Sequence, residues 1–168
     1  MTDLLAVLEE ARSWGFLGPG PVADHVAHAE AFAAAVSLPP DRALDLGSGG
    51  GVPGLVLAGR WPTTRWVLLD SQERRTAFLA GAVARLGWQD RVEVVRARAE
   101  EAGRDPDLRA RFDLVTARSF GPPAVTAECA APFLRVGGHL LVSEPPEAVD
   151  RWPAAGLAPL GLGVVGVE

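Results

Sequence analysis

The sequence predicts an α/β fold, a doubly wound and mostly parallel sheet with flanking helices. Three observations predict it. Short apolar runs alternate with helical patterns from residue 41 onward. The first run, Ala43-Leu-Asp-Leu46, breaks into glycines at 47, 49, 50, 51 and 54 before a new apolar pattern begins. The chain has 168 residues and 48% hydrophobic content, which suits one domain with a real core rather than a disordered segment.

The elements follow in order. Residues 2–14 place Leu4, Leu5, Val7, Leu8 and Ala11 at helical spacing, with acids near the start. Three glycines and two prolines break the pattern over 15–21. Residues 22–37 are Ala-rich and read as a second helix, ended by Pro39-Pro40. These helices form an N-terminal segment, 1–38, expected to pack on one edge of a sheet built by 39–168. Residues 43–46 are strand one. A crossover helix over 52–60 carries Pro53 in its first turn, where proline is tolerated. Residues 66–70 are strand two. A helix over 71–86 has Ser71 as its expected N-cap, with Arg74 and Arg75 early in it. Strands three and four cover 92–97 and 112–117, a helix covers 123–134, and strand five covers 137–143. After Glu144 come prolines at 145, 146, 153 and 159, then an apolar run over 162–167 expected as a sixth strand. Sheets of this type usually close with an antiparallel hairpin. The hairpin here is therefore expected to be incomplete, leaving an open or partner-covered edge.

Composition excludes several classes. No run of about 18 uncharged apolar residues appears, so no membrane span is expected. Met1-Thr-Asp-Leu-Leu5 is acidic where a signal peptide would be basic. The single cysteine, Cys129, cannot form an internal disulfide. A cytoplasmic monomer is expected. All 16 basic residues are arginine, which removes Schiff-base and phosphate-loop lysines. The net charge of −5 argues against binding nucleic acid through a broad basic face, though not through a local arginine cluster. His25, His28 and His139 lack metal-ligand spacing with any Cys or Asp cluster, so no metal is expected. Cys129 sits mid-helix without a paired histidine and reads as a small buried residue. The five tryptophans are scattered and read as packing.

The glycine cluster is the functional signal. It permits a sharp turn and close approach of a ligand to backbone. Free N–H groups at the start of the next helix favour a carboxylate or phosphate. Gly49, Gly51 and Gly54 fit the dinucleotide spacing, but that pattern alone is weak. S-adenosylmethionine (SAM) is the competing cofactor, and three features favour it. Asp45, two residues before Gly47, is placed to face the ammonium of a bound amino acid; its plainer role is to cap a backbone turn. Asp70 ends strand two, placed to accept from both ribose hydroxyls, a feature that NAD enzymes share. Ala97-Arg-Ala-Glu100 follows strand three, where the adenine of a single nucleoside would sit; Glu100-Glu101 read more plainly as surface charge. An NAD enzyme usually needs more chain. Arg74 and Arg75 read either as a phosphate contact or as a solvated helix face.

The wider pattern carries a resemblance. Asp45-Leu-Gly-Ser-Gly-Gly-Gly-Val-Pro-Gly-Leu-Val-Leu-Ala58, Leu68-Leu-Asp-Ser-Gln-Glu-Arg-Arg-Thr-Ala-Phe-Leu79, Arg98-Ala-Glu-Glu101 and Phe112-Asp-Leu-Val-Thr-Ala-Arg118 together resemble the glucose-inhibited division protein B family. Those are bacterial SAM-dependent methyltransferases with a Rossmann-like fold, acting on guanine N7 of small-subunit ribosomal RNA. The resemblance covers roughly residues 41–144. It implies that Gly47, Ser48, Gly49 and Gly51 cradle the methionine part of SAM. It further implies that Asp70 and Ser71 hold the ribose, and that Ala99 and Glu100 flank the adenine. Arg118 would be the catalytic candidate, facing the SAM carboxylate or the RNA. Arg74 and Arg75 would contact RNA phosphate, and ribosomal RNA or the small subunit would be the partner.

Departures from the family pattern cluster on the substrate side. Arg74-Arg75 replaces Lys-Arg, and Ser143-Glu-Pro-Pro146 stands where a lysine is usual. The family's Asn-Leu-Thr region, and its Asp-Ser pair after a histidine, are not recognisable around His25 and His28. Ser119-Phe-Gly-Pro-Pro123 is also unusual. Two alternatives therefore stand beside RNA methylation: a small-molecule methyltransferase and a non-catalytic SAM-binding module.

Overall fold

Among the described residues five strands, each one of the short apolar runs, pair side by side in the order β3-β2-β1-β4-β5. The computed structural model describes residues 2–144 and 151–166. The strands are β1 Arg42–Leu46, β2 Arg65–Asp70, β3 Val92–Arg96, β4 Phe112–Ala117 and β5 Leu134–Val142. The helices are α1 Thr2–Ser13, α2 Val22–Ala34, α3 Gly54–Arg60, α4 Glu73–Leu86, α5 Ala99–Ala102, α6 Pro123–Ala130 and α7 Ala154–Leu157. Every strand pair is parallel, with Leu44 opposite both Val67 and Val115 in the central register.

Side chains alternate across this sheet as strand geometry demands. Ala43, Trp66, Leu68 and Leu114 point to one face, against Leu55 and Leu57 of α3 and Leu79 and Val83 of α4. Leu44, Leu46, Leu69 and Val115 point to the other, against Ala99 of α5, Ala130 of α6 and Phe133. Both faces are covered, so the inner strands read as nearly continuous apolar runs.

The N-terminal helices depart from expectation. They lie over the helical layer rather than on a sheet edge, with Leu8, Ala11, Leu17, Val22 and Ala29 meeting Val52 and Val56 in a third core. The cause is α3, whose residues from Gly54 to Ala58 are all buried. A helix apolar all round needs cover on its outer side too, and α1 and α2 supply it.

Three boundaries also shift. Helix α4 begins at Glu73, and Ser71 makes no capping bond; the Gln72 amide donates to Asp70 Oδ1 instead, at 2.9 Å. Helix α6 ends at Ala130 and passes through a 3₁₀ turn, Ala131–Phe133, that contains Pro132. Strand β5 therefore starts early, at Leu134, and a register irregularity between Phe112 and Leu114 absorbs the extra residues. The expected sixth strand does not form over 162–166. Gly163 and Gly166 interrupt that region, Gly161 just before it turns left-handed at φ +73°, and Val164 and Val165 stay exposed. Val167 and the Pro145-Pro146 pair lie outside the described residues. Among the described residues β5 has β4 as its only neighbour, so that edge of the sheet is open. No helix among them is long and apolar enough to cross a membrane.

Candidate functional site

A cleft opens at the carboxyl ends of β1, β2, β3 and β4, beside the point where strand order reverses between β1 and β4. Open α/β sheets bind ligands at such switch points. Its walls include Gly47, Asp70, Ser71, Arg75, Ala99, Glu100 and Phe120.

The glycine loop closes the β1 end. The amides of Gly47 and Ser48 both donate to the Leu69 carbonyl, at 2.8 and 3.0 Å. Ser48 Oγ donates to the Asp45 carbonyl at 2.9 Å, and the Gly51 amide donates to Ser48 O at 2.7 Å. Gly47 holds φ +73°, and a Cβ there would stand 2.7 Å from Phe120 Cδ2. The Phe120 ring therefore lies directly on the loop. At Gly50 a Cβ would meet the Phe16 carbonyl at 2.9 Å, because the segment after α1 seats on the loop's other side.

Asp70 fastens this loop to β2. It is 5% exposed. Its Oδ2 accepts the Gly49 amide and its Oδ1 the Gln72 amide, both at 2.9 Å. The Arg75 guanidinium stands 3.7 Å from Oδ2. A carboxylate has about four acceptor positions. Two backbone bonds thus leave capacity for a vicinal diol in the cleft. Arg75 Nε is buried with no partner, a polar atom of the kind a bound polar ligand would satisfy. These features fit a nucleoside cofactor with a ribose.

Asp45 is arranged differently from a wall of the cleft. It is 1% exposed and turned beneath α3, on the same sheet face as Ala43. Oδ2 accepts the Gly54 amide at 3.1 Å, and Oδ1 accepts the Thr116 hydroxyl at 2.8 Å. Burial pushes its carboxyl up to about 6, against the pull of Thr116, Gly54, Ser48 and Arg118. This is the geometry of a buried turn cap rather than of an ammonium contact.

Arg118, the residue after β4, is half-buried beside the cleft on the side of the N-terminal segment. It donates to His25 Nδ1 at 3.0 Å. His25, 8% exposed on α2, reaches the Gly18 carbonyl with Nε2 at 3.1 Å. Burial lowers the guanidinium's pKa and the Asp45 charge opposes that. His28, one helical turn on, is lowered by burial, then by Arg118 and His25.

The adjacent arginines at the start of α4 separate. Arg75 faces Asp70, whereas Arg74 lies over the rings of Trp14 and Phe16, at 5.8 and 5.9 Å. Glu100 pairs with Arg98 on the exposed rim at 2.8 Å. Cys129 is partly buried, and burial raises its thiol. No group of three metal-ligating side chains occurs among the described residues. Sequence reasoning missed Phe120, Thr116 and the role of His25. The unusual Ser119–Pro123 stretch was the available signal for Phe120; no spacing signals the other two.

Comparisons with known proteins supply the family and the fold. The family described as rRNA small subunit methyltransferase G (GidB) matches residues 22–151. A ribosomal RNA small subunit methyltransferase G from Prochlorococcus marinus is 47% identical over 103 residues, 61% of this chain and 42% of that protein. The corresponding protein from Roseiflexus castenholzii is 41% identical over 131 residues, 77% of this chain and 56% of that one. The chain thus spans about half the length of these curated relatives. A putative O-methyltransferase structure from Klebsiella pneumoniae superposes with a TM-score of 0.65 at 16% identity, covering 94% of this chain and 75% of that one. That likeness is one of fold.

Proposed function

The chain belongs to the rRNA small subunit methyltransferase G family, and from that premise we propose that it transfers a methyl group from SAM to N7 of a guanine in small-subunit ribosomal RNA. The observation that carries the cofactor is Asp70, buried at the cleft floor, tying the glycine loop to β2 with acceptor capacity to spare. Bound SAM would supply an electrophilic methyl group.

The residues divide the remaining work. Asp70 and Ser71 hold the ribose, and Ala99 and Glu100 flank the adenine. Gly47, Ser48, Gly49 and Gly51 shape the turn around the methionine part. Asp45 supports that turn from beneath. Guanine N7 has a lone pair and no proton, so no general base is needed. The enzyme must hold N7 in line with the methyl group, at about 3–3.5 Å, and exclude water. Phe120 supplies an apolar wall for that exclusion. Arg118 faces the RNA and the exposed Arg74 adds a phosphate contact, whereas Arg75 turns to Asp70 and the cofactor. The reading implies a cytoplasmic monomer that works on the small ribosomal subunit.

Small subunits lacking this methylation, incubated with the protein and SAM, are expected to gain one N7-methylguanine, detected by borohydride–aniline strand cleavage. Arg118→Ala should lose most turnover; unchanged turnover would remove Arg118 from the site. Tight SAM binding with no RNA product would favour a small-molecule acceptor or a binding module.

A further inference from the structure

We infer that His25 is a positioning residue, holding the Arg118 guanidinium toward the substrate through Nδ1 while its Nε2–H is anchored on the Gly18 carbonyl. This deepens, and rests on, the proposed methyl transfer. The argument is one of donors and acceptors. A backbone carbonyl only accepts, so the ring nitrogen 3.1 Å from Gly18 O must carry the proton. Nδ1 is then the bare nitrogen, and an arginine N–H is the donor it needs, at 3.0 Å. An arginine can offer only donors, so the two contacts fix one tautomer between them.

The placement has a purpose that packing alone would not require. His25 and Arg118 are 93 residues apart, on α2 and at the end of β4. Arg118 is half-buried, with the buried Asp45 charge behind it and His28 beside it. A guanidinium with five donors and no partner from α2 would reorient freely at the mouth of the cleft. Gly18 belongs to the same connection as Phe16, whose carbonyl abuts Gly50 of the glycine loop. The N-terminal segment therefore sets the arginine and the loop in one frame.

The test compares His25→Asn with His25→Leu. An asparagine Oδ1 falls near the histidine Nδ1 and keeps an acceptor for Arg118, whereas leucine keeps none; neither reaches Gly18. Both should bind SAM as the wild type does. Turnover on small subunits should fall about tenfold or more in His25→Leu and much less in His25→Asn, as expected for loss of one hydrogen bond to a charged group. Equal losses in both variants, or none in either, would overturn the inference. Ring ¹⁵N shifts of wild-type His25 give a readout free of activity. The Nε2–H tautomer is expected, and an Nδ1–H tautomer would overturn the inference even in an active enzyme. A wild-type protein with the expected tautomer that methylates no RNA would instead defeat the proposed function.

Discussion

The Gly54 amide donates to Asp45 Oδ2 at 3.1 Å, and a Cβ on Gly54 would stand 2.5 Å from that same oxygen. Helix α3 can sit on a buried carboxylate only because its first residue has no side chain. The same Cβ would also lie 2.6 Å from Leu68 Cδ2, so it has no direction in which to yield. Gly54→Ala should therefore lower stability by about 2–4 kcal/mol, from overpacking plus the weakened bond to Asp45. Urea unfolding gives the number. A midpoint unchanged from wild type would show that the helix slides without penalty.

Asp45 makes stability depend on pH. Its carboxyl is raised from 3.8 to about 6 by burial. Between those values the folded chain binds a proton that the unfolded chain has lost, so stability falls as pH rises through the window. Above about 6 the full penalty, roughly 3 kcal/mol, is in place. In Asp45→Asn the oxygen accepts from Gly54 and the amide donates to the Thr116 hydroxyl. Melting temperatures at pH 4.5 and 7 should then converge, with the variant no less stable than wild type at pH 7.

Asp70→Ala removes the tie between the glycine loop and β2, leaving the amides of Gly49 and Gln72 without their acceptor. Calorimetric titration should show SAM and its demethylated product binding to wild type, and at least tenfold weaker binding to the variant. NAD should bind neither. Asp70→Asn should also fall short, since its single oxygen can serve only one of the two amides.

Gly50→Ala places a Cβ 2.7 Å from Leu17 Cδ2 and 2.9 Å from the Phe16 carbonyl. The strain falls on the contact between loop and N-terminal segment, not on the sheet. Limited proteolysis within residues 15–21 should accelerate while cleavage elsewhere changes little. A proteolysis pattern identical to wild type would mean that the segment accommodates the methyl group.

Most of the fold was legible because period and punctuation agreed. Five apolar runs, each ending near a polar or glycine residue, gave five parallel strands. The glycine loop and Asp70 were legible because their chemistry is local: the residues that make the turn are adjacent in sequence. What was not legible depends on pairings across the chain. Nothing local to Asp45 reveals Thr116, 71 residues away, as its hydrogen-bond partner. The placement of α1 and α2 turns on α3 being buried all round, which a seven-residue helix is too short to advertise. The run over 162–167 had strand composition, but a strand also needs a neighbour, and composition does not supply one.

The seating of residues 16–25 on the glycine loop and Arg118 bears on the order in which the chain is made. Segment 1–38 is made before the residues it packs on, which include Gly50, α3, α4 and the end of β4. Glu10 meets Arg85 across 75 residues, and His25 meets Arg118 across 93. At an elongation rate of roughly 5–20 residues per second, the apolar faces of α1 and α2 wait several seconds for their partners. The seating of these helices is therefore complete only once the end of β4 has been made.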